Sequence, residues 1–220
     1  MRFRDRRDAG EQLARQLRAL GLGPSTVLAI PRGGVVVADA IVRNFGWPLD
    51  VVIPRKLRAP NNPELAFGAV TGEGVIYLDR RLTQTLRIAD EYLREEITAQ
   101  IAEIARRRLA YRGSRPEPDL RNRTAVLVDD GLATGATAIA AVRMLRYALA
   151  REVAVAIPVG PPDAVRRLEG EADRVICLLR PTELVAVGEA YEDFHQIGDD
   201  EVVTCLARAW GRAEVAGEES

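Results

Sequence analysis

Apolar residues follow two alternating rhythms along this chain. Between Arg6 and Leu20, Leu13, Leu17 and Leu20 recur at helical spacing and Gly21 ends the run, which predicts an amphipathic helix. "TVLAI", Thr26 to Ile30, is apolar without alternation, as expected of a strand covered on both faces. "VVVADAIVRNFG" then reads as a helix stopping at Gly46, and "LDVVIPRK" as a second buried strand. "LRAPNNPELAFGAVTGEG" is too dense in Pro, Asn and Gly for a regular element, so a long mobile loop with a short strand at its end is predicted.

The same alternation continues to the end of the core. Ile88, Tyr92, Ile97, Ile101, Ile104 and Leu109 mark one face of a long helix from Arg87 to Arg112, which "GSRPEPDL" ends. The run Arg106 to Arg108 reads as a solvated helical face. The strand "AVLV", a loop, a helix through about Ala150, the strand "EVAVAIPVG", a short helix "DAVRRLEG" and the strand "RVICLL" follow. Such alternation predicts an α/β fold, a mainly parallel sheet flanked by helices in the Rossmann-like manner. Residues 181–212, with Tyr191, Phe194 and Trp210, fall outside the pattern and read as a small C-terminal cap over the strand ends. The expectation is one domain over 1–212, with its core at about 22–180 and a disordered acidic tail at 213–220.

Composition narrows the range of functions. An apolar content of 47% supports a buried core, and a net charge of −1 argues against the cationic face that nucleic-acid or anionic-membrane binding needs. The opening residues lack a secretory h-region and no run approaches the ~18 apolar residues of a membrane span, so the expected compartment is the cytoplasm. Cys177 and Cys205 lack metal-site spacing and read as reduced core thiols. Of the 31 Lys and Arg residues only Lys56 is Lys, so a compact ammonium next to Arg55 stands out in a chain that otherwise uses guanidinium.

The chemistry concentrates in "AVLVDDGLATGAT", Ala125 to Thr137. A strand delivers Asp129 and Asp130 to a loop that opens a helix, where backbone N–H groups and the helix dipole can hold a phosphate and Thr134 and Thr137 add donors. Gly131 and Gly135 allow close backbone approach. Two like charges ~5 Å apart repel by roughly 3 kcal/mol at an effective dielectric of ~20, so a bare polyphosphate beside both acids is disfavoured. A phosphate a few bonds from a vicinal diol fits better, with the acids accepting from the hydroxyls directly or through Mg²⁺. That describes a ribose 5-phosphate.

This stretch resembles the thirteen-residue phosphoribosyl-diphosphate (PRPP) signature of type I phosphoribosyltransferases. The resemblance implies that Asp129 and Asp130 serve the ribose hydroxyls and the metal, while Ala133, Thr134, Gly135, Ala136 and Thr137 surround the 5-phosphate. "AIPRGGV" looks like the family's diphosphate loop, with Arg32 supplying charge and Gly33 and Gly34 supplying N–H groups. "RKLRAP" resembles the mobile catalytic loop of adenine- and orotate-type members, which would bring Arg55, Lys56 and Arg58 to the diphosphate. The match runs from about Val27 to Leu179 in the same motif order. "FRDRRDAGEQLA", "NNPELAFGAV" and "YEDFHQ" are similar to bacterial members of unassigned substrate.

What the resemblance implies is Mg²⁺-dependent displacement at the anomeric carbon of PRPP by a nucleobase or related small acceptor, as in nucleotide salvage, in a protein that is often a homodimer. Ala133 stands where hypoxanthine-guanine members carry the Asp proposed to accept the base's proton, and it matches the adenine-type loop instead. Tyr191 and Phe194 are candidates to stack on the base, and Asp193 resembles an acid that reaches a metal in purine enzymes. Their alternative role is to pack the cap, and His195 reads as a surface residue rather than a general base. Two rival functions remain open, a PRPP-responsive regulator without turnover and an enzyme that hydrolyses PRPP.

Overall fold

The computed structural model describes residues 2–60 and 62–218. α1 (Arg6–Ala19) starts where Asp5 accepts a hydrogen bond from the Asp8 amide at 2.8 Å, and it buries Leu13, Ala14 and Leu17. β1 (Ser25–Ala29), β2 (Leu49–Val51), β6 (Thr124–Val128), β7 (Glu152–Val159) and β8 (Arg174–Leu179) form a parallel sheet in the order β2-β1-β6-β7-β8. Alternate residues of each strand enter different cores. Val27, Ala29, Val126 and Val128 join α1, α2 (Gly33–Phe45) and α7 (Asp199–Glu218); Leu28, Ala125, Leu127 and Val155 join α5 (Ala136–Tyr147) and α6 (Pro162–Glu169). The lack of alternation in these runs thus reflects burial on both faces.

The segment after β2 departs from the sequence reading. "LDVVIPRK" is two strands, because Pro54 has no N–H to donate and the chain leaves the parallel sheet there. β3 (Arg55–Ala59), β4 (Asn62–Val70) and β5 (Ile76–Leu78) form a separate antiparallel sheet, so the predicted mobile loop is a structured hairpin with a third strand. Leu57, Phe67, Ala69 and Val70 are buried beneath it, a short apolar cluster that the surrounding Pro, Asn and Gly residues obscure. α3 (Arg80–Thr85) is an unforeseen short helix capped by Asp79.

α4 (Asp90–Arg112) matches the predicted long helix and buries Ile104 and Tyr111, whereas Leu109 is 70% exposed. Five residues beyond Ile104 is about 140° round the helix, which turns Leu109 away from the face that Tyr111 continues. The 181–212 segment contains a 3-10 turn (Val187–Ala190) followed by α7. α7 runs to Glu218, so the predicted disordered tail is helical over 213–218, while 219–220 lie outside the described residues. Cys177 and Cys205 are both free. Among the described residues no helix is long and apolar enough to cross a membrane.

Candidate functional site

β1 leads to β2 on one side of the sheet and β6 leads to β7 and β8 on the other, so the direction of winding reverses between β1 and β6. Their outgoing loops therefore separate and leave a crevice at the carboxyl ends of the strands. A cleft of about 560 Å³ lies there. Of the residues singled out in the sequence, Arg32, Gly33, Arg55, Lys56, Arg58, Asp129, Asp130, Ala133, Thr134, Gly135, Thr137 and Phe194 line it. Arg6, Val187, His195 and Gln196 join them from distant parts of the chain.

The loop after β6 is built by packing as much as by its own conformation. Gly135 has φ +79°, a left-handed conformation that glycine adopts without strain, and it turns the chain into α5. Gly131 is closely packed by the cap: a Cβ there would lie 2.4 Å from Val187 Cγ1, which would have to shift. The Thr134 hydroxyl accepts from the Ala136 amide at 3.4 Å. Ala136 itself is buried as the first residue of α5, so within the 133–137 group it packs rather than lines the cleft. Among the described residues the amides of Ala133, Thr134 and Gly135 make no hydrogen bond, so an anion would find them available.

The acids stand opposite the loop after β1. Asp129 Oδ1 accepts from the Asp130 amide at 2.8 Å. Burial, then the charge of Asp130, hold the Asp129 carboxyl well above its ordinary range, and nearby Lys56 acts in the opposite direction. Arg32 reaches Asp199 of α7 at 3.8 Å, and the Pro31–Arg32 peptide is cis. Gly34 does not line the cleft; a Cβ there would lie 2.8 Å from the Val128 carbonyl oxygen, so its smallness lets α2 begin directly against the end of β6. Gly33 has still less room, with a hypothetical Cβ at 1.8 Å from Asp130 Oδ2 and 2.7 Å from Arg6 Nε.

Arg6 is the main site residue that sequence reasoning missed. Its side chain, 7% exposed, donates from Nε to Asp130 Oδ2 at 2.8 Å and from Nη1 to the His195 carbonyl at 2.9 Å. Its guanidinium lies 3.7 Å from the centroid of the Phe194 ring. The only available signal was an arginine at the first position of an amphipathic helix, which looks the same as the surface cations around it.

The three cap residues singled out in the sequence stand in different surroundings. Tyr191 is 4% exposed and donates its hydroxyl to the Asp130 carbonyl at 2.6 Å, so it braces the acid loop and does not offer a face to a base. Burial pushes its hydroxyl pKa up. Phe194 does line the cleft, but the Arg6 guanidinium lies over its ring. Asp193 does not join the acid pair; it faces His195, accepting from that residue's amide at 3.1 Å. Among the described residues no group of three or more His, Cys, Asp or Glu side chains is placed to hold a metal ion.

Comparison with known proteins agrees with this geometry. A model of the phosphoribosyl transferase domain matches residues 4–193. Two Mycobacterium tuberculosis proteins, named "Putative phosphoribosyl transferase MT0597" and "Putative phosphoribosyl transferase Rv0571c", are each 44% identical over 207 residues, which is 94% of this chain and 47% of theirs. The chain therefore spans about half the length of these curated relatives. The crystal structure of TT1426 from Thermus thermophilus superimposes with a TM-score of 0.80 at 45% identity, covering 94% of this chain and 99% of that one. The family match takes in the parallel sheet, both small-residue loops and the cap as far as Asp193, and the chain belongs to the phosphoribosyl transferase family.

Proposed function

We propose that this protein transfers the 5-phosphoribosyl group of PRPP to a nucleobase or related small acceptor, with release of diphosphate and dependence on Mg²⁺. The observation that carries the proposal is the placement of two adjacent carboxylates and an unbonded run of loop amides along one wall, residues 129–135, of a single cleft that Arg32 and Lys56 also line. A ribose 5-phosphate satisfies both halves of that wall, the amides of 133–135 taking the phosphate and the acids accepting from the ribose hydroxyls. Arg32 and Lys56, with Arg55 and Arg58 at the cleft edge, provide positive charge where a diphosphate leaves.

The donor set fits Mg²⁺, which characteristically takes one or two carboxylates and completes its shell with water and substrate oxygens. Asp129 and Asp130 would hold it, and the raised pKa of the Asp129 carboxyl is what a neighbouring cation reverses. When bound, the metal supplies Lewis-acid neutralisation of diphosphate charge. The chain's own part is to orient the ribose, to compensate the departing charge with Arg32 and Lys56, and to exclude water with the β3–β4 hairpin. Cytoplasmic location and a homodimer remain part of the proposal.

Calorimetric titration of PRPP with Mg²⁺, then with EDTA, tests it. Micromolar binding that requires Mg²⁺ is expected, with at least a tenfold loss, about 1.4 kcal/mol, in Asp129→Asn and Asp130→Asn. Diphosphate release is then followed across a panel of nucleobases. Absence of heat together with no competition by ribose 5-phosphate refutes the proposal, and diphosphate release independent of any base identifies water as the acceptor.

A further inference from the structure

The guanidinium of Arg6 is more than a brace. Its Nε bonds Asp130 and one Nη1 hydrogen bonds the His195 carbonyl, leaving further N–H donors of the fork without a partner among the described residues. A side chain so buried normally has all its donors bonded, and an unbonded one is costly. Arg6 nevertheless lines the cleft, and among the described residues Thr71 Oγ1 alone is fully enclosed without a partner, so Nη2 keeps some exposure to solvent. The fork is held rigidly on three other sides: by Asp130, by the Phe194 ring and by the backbone of Gly33, where there is no room for a Cβ.

Gly33 belongs to the 31–34 loop between β1 and α2, whose Arg32 also faces the cleft. Arg6 and that loop thus converge on one region. Asp130 next to the loop would repel a polyanion, and an arginine paired with it at 2.8 Å cancels that charge without blocking the loop. This removes the difficulty of a diphosphate lying near two acids.

We propose that Arg6 is a binding residue for the diphosphate of PRPP, reaching it from the start of α1 with the free edge of its guanidinium while its other edge neutralises Asp130. The proposal rests on the phosphoribosyl transfer reading. It assigns substrate recognition to a helix outside the strand-end loops, and it makes Gly33 the residue that admits the arginine. A guanidinium suits this role because a planar fork can serve a carboxylate on one edge and a phosphate on another, which an ammonium cannot do.

The test titrates three probes into the wild-type chain, Arg6→Gln and Arg6→Lys, all with Mg²⁺: inorganic diphosphate, ribose 5-phosphate and PRPP. Arg6→Gln is expected to weaken diphosphate and PRPP at least tenfold while ribose 5-phosphate changes less than threefold. Arg6→Lys is expected to recover part of the loss in diphosphate affinity. If Arg6→Gln fails to fold by circular dichroism, Arg6→Lys is judged alone, and a selective loss of diphosphate over ribose 5-phosphate supports the proposal. Equal losses for all three probes, or unchanged diphosphate affinity, overturn it and leave Arg6 a structural partner of Asp130. If the wild-type chain binds none of the three, the phosphoribosyl transfer reading itself has failed, a result distinguishable from the others.

Discussion

Asp129 is where stability and the proposed PRPP binding pull in opposite directions. Burial and the charge of Asp130 raise its carboxyl well above the ordinary 3.8, so the folded chain holds that proton more tightly than the unfolded chain does. For a raised pKa, the stabilisation is complete below the unfolded value and is lost as pH rises through the folded one. As pH rises above the unfolded value the fold therefore loses stability relative to one with a neutral side chain at this position. Asp129→Asn keeps an oxygen to accept from the Asp130 amide, now 2.8 Å away. Its melting temperature at pH 7 is expected to exceed that of the wild type by at least ~2 °C, with the difference closing below about pH 4. Equal melting at pH 7 would show that the carboxyl is not destabilised. The same substitution is expected to weaken PRPP binding, the usual trade-off at a site shaped for a charged ligand.

The β3–β4 hairpin is held by two different kinds of contact. Its inner face is anchored by Leu57 and Phe67, both buried. Its outer edge is tied to α4 by polar contacts: the Tyr92 hydroxyl donates to the Arg58 carbonyl at 2.8 Å, the Arg58 amide donates to Glu96 at 3.1 Å, and Arg55 Nε donates to Gln100 at 2.9 Å. Each such bond contributes only ~0.5–1.5 kcal/mol net. Lys56, exposed between the two tied arginines, faces the cleft without belonging to this strap. In Glu96→Ala/Gln100→Ala the Arg58 amide is expected to exchange with solvent about tenfold faster by NMR, with β6 amides unchanged. An unaltered rate at Arg58 would mean that the apolar anchor alone holds the hairpin.

At the scale of the molecule, the cleft is assembled from five regions far apart in sequence, at Arg6, 30–33, 54–58, 129–137 and 187–197. Arg6 and the His195 carbonyl are 189 residues apart and Arg6 and Asp130 are 124 apart, yet they form one cluster at the end of β6. A ligand that bridges these regions binds only the folded chain, so it raises the melting temperature by mass action. On the proposed function, PRPP with Mg²⁺ at 100 times its dissociation constant is expected to add ~2.7 kcal/mol, which for a chain of this length is roughly 5–10 °C. No shift at saturating concentration would rule out a preformed site.

Local pattern was enough for the α/β architecture, because two-sided burial leaves uninterrupted apolar runs and helices keep their own period. It was also enough for the two acids and their small-residue loop, where strand, carboxylates and helix start are contiguous in the chain. The hairpin was not legible, since its turns carry the residues that mark loops while its apolar partners lie on other elements. Nor was the division of labour in the cap. Tyr191 and Phe194 are three positions apart with similar chemistry, yet one braces the Asp130 carbonyl and the other underlies a guanidinium, because packing against α1 and the end of β6 decides which ring is enclosed. Arg6 is the extreme case: only the folded chain separates one arginine among 30 from the rest, by withdrawing it from solvent and pairing it with an acid across the molecule.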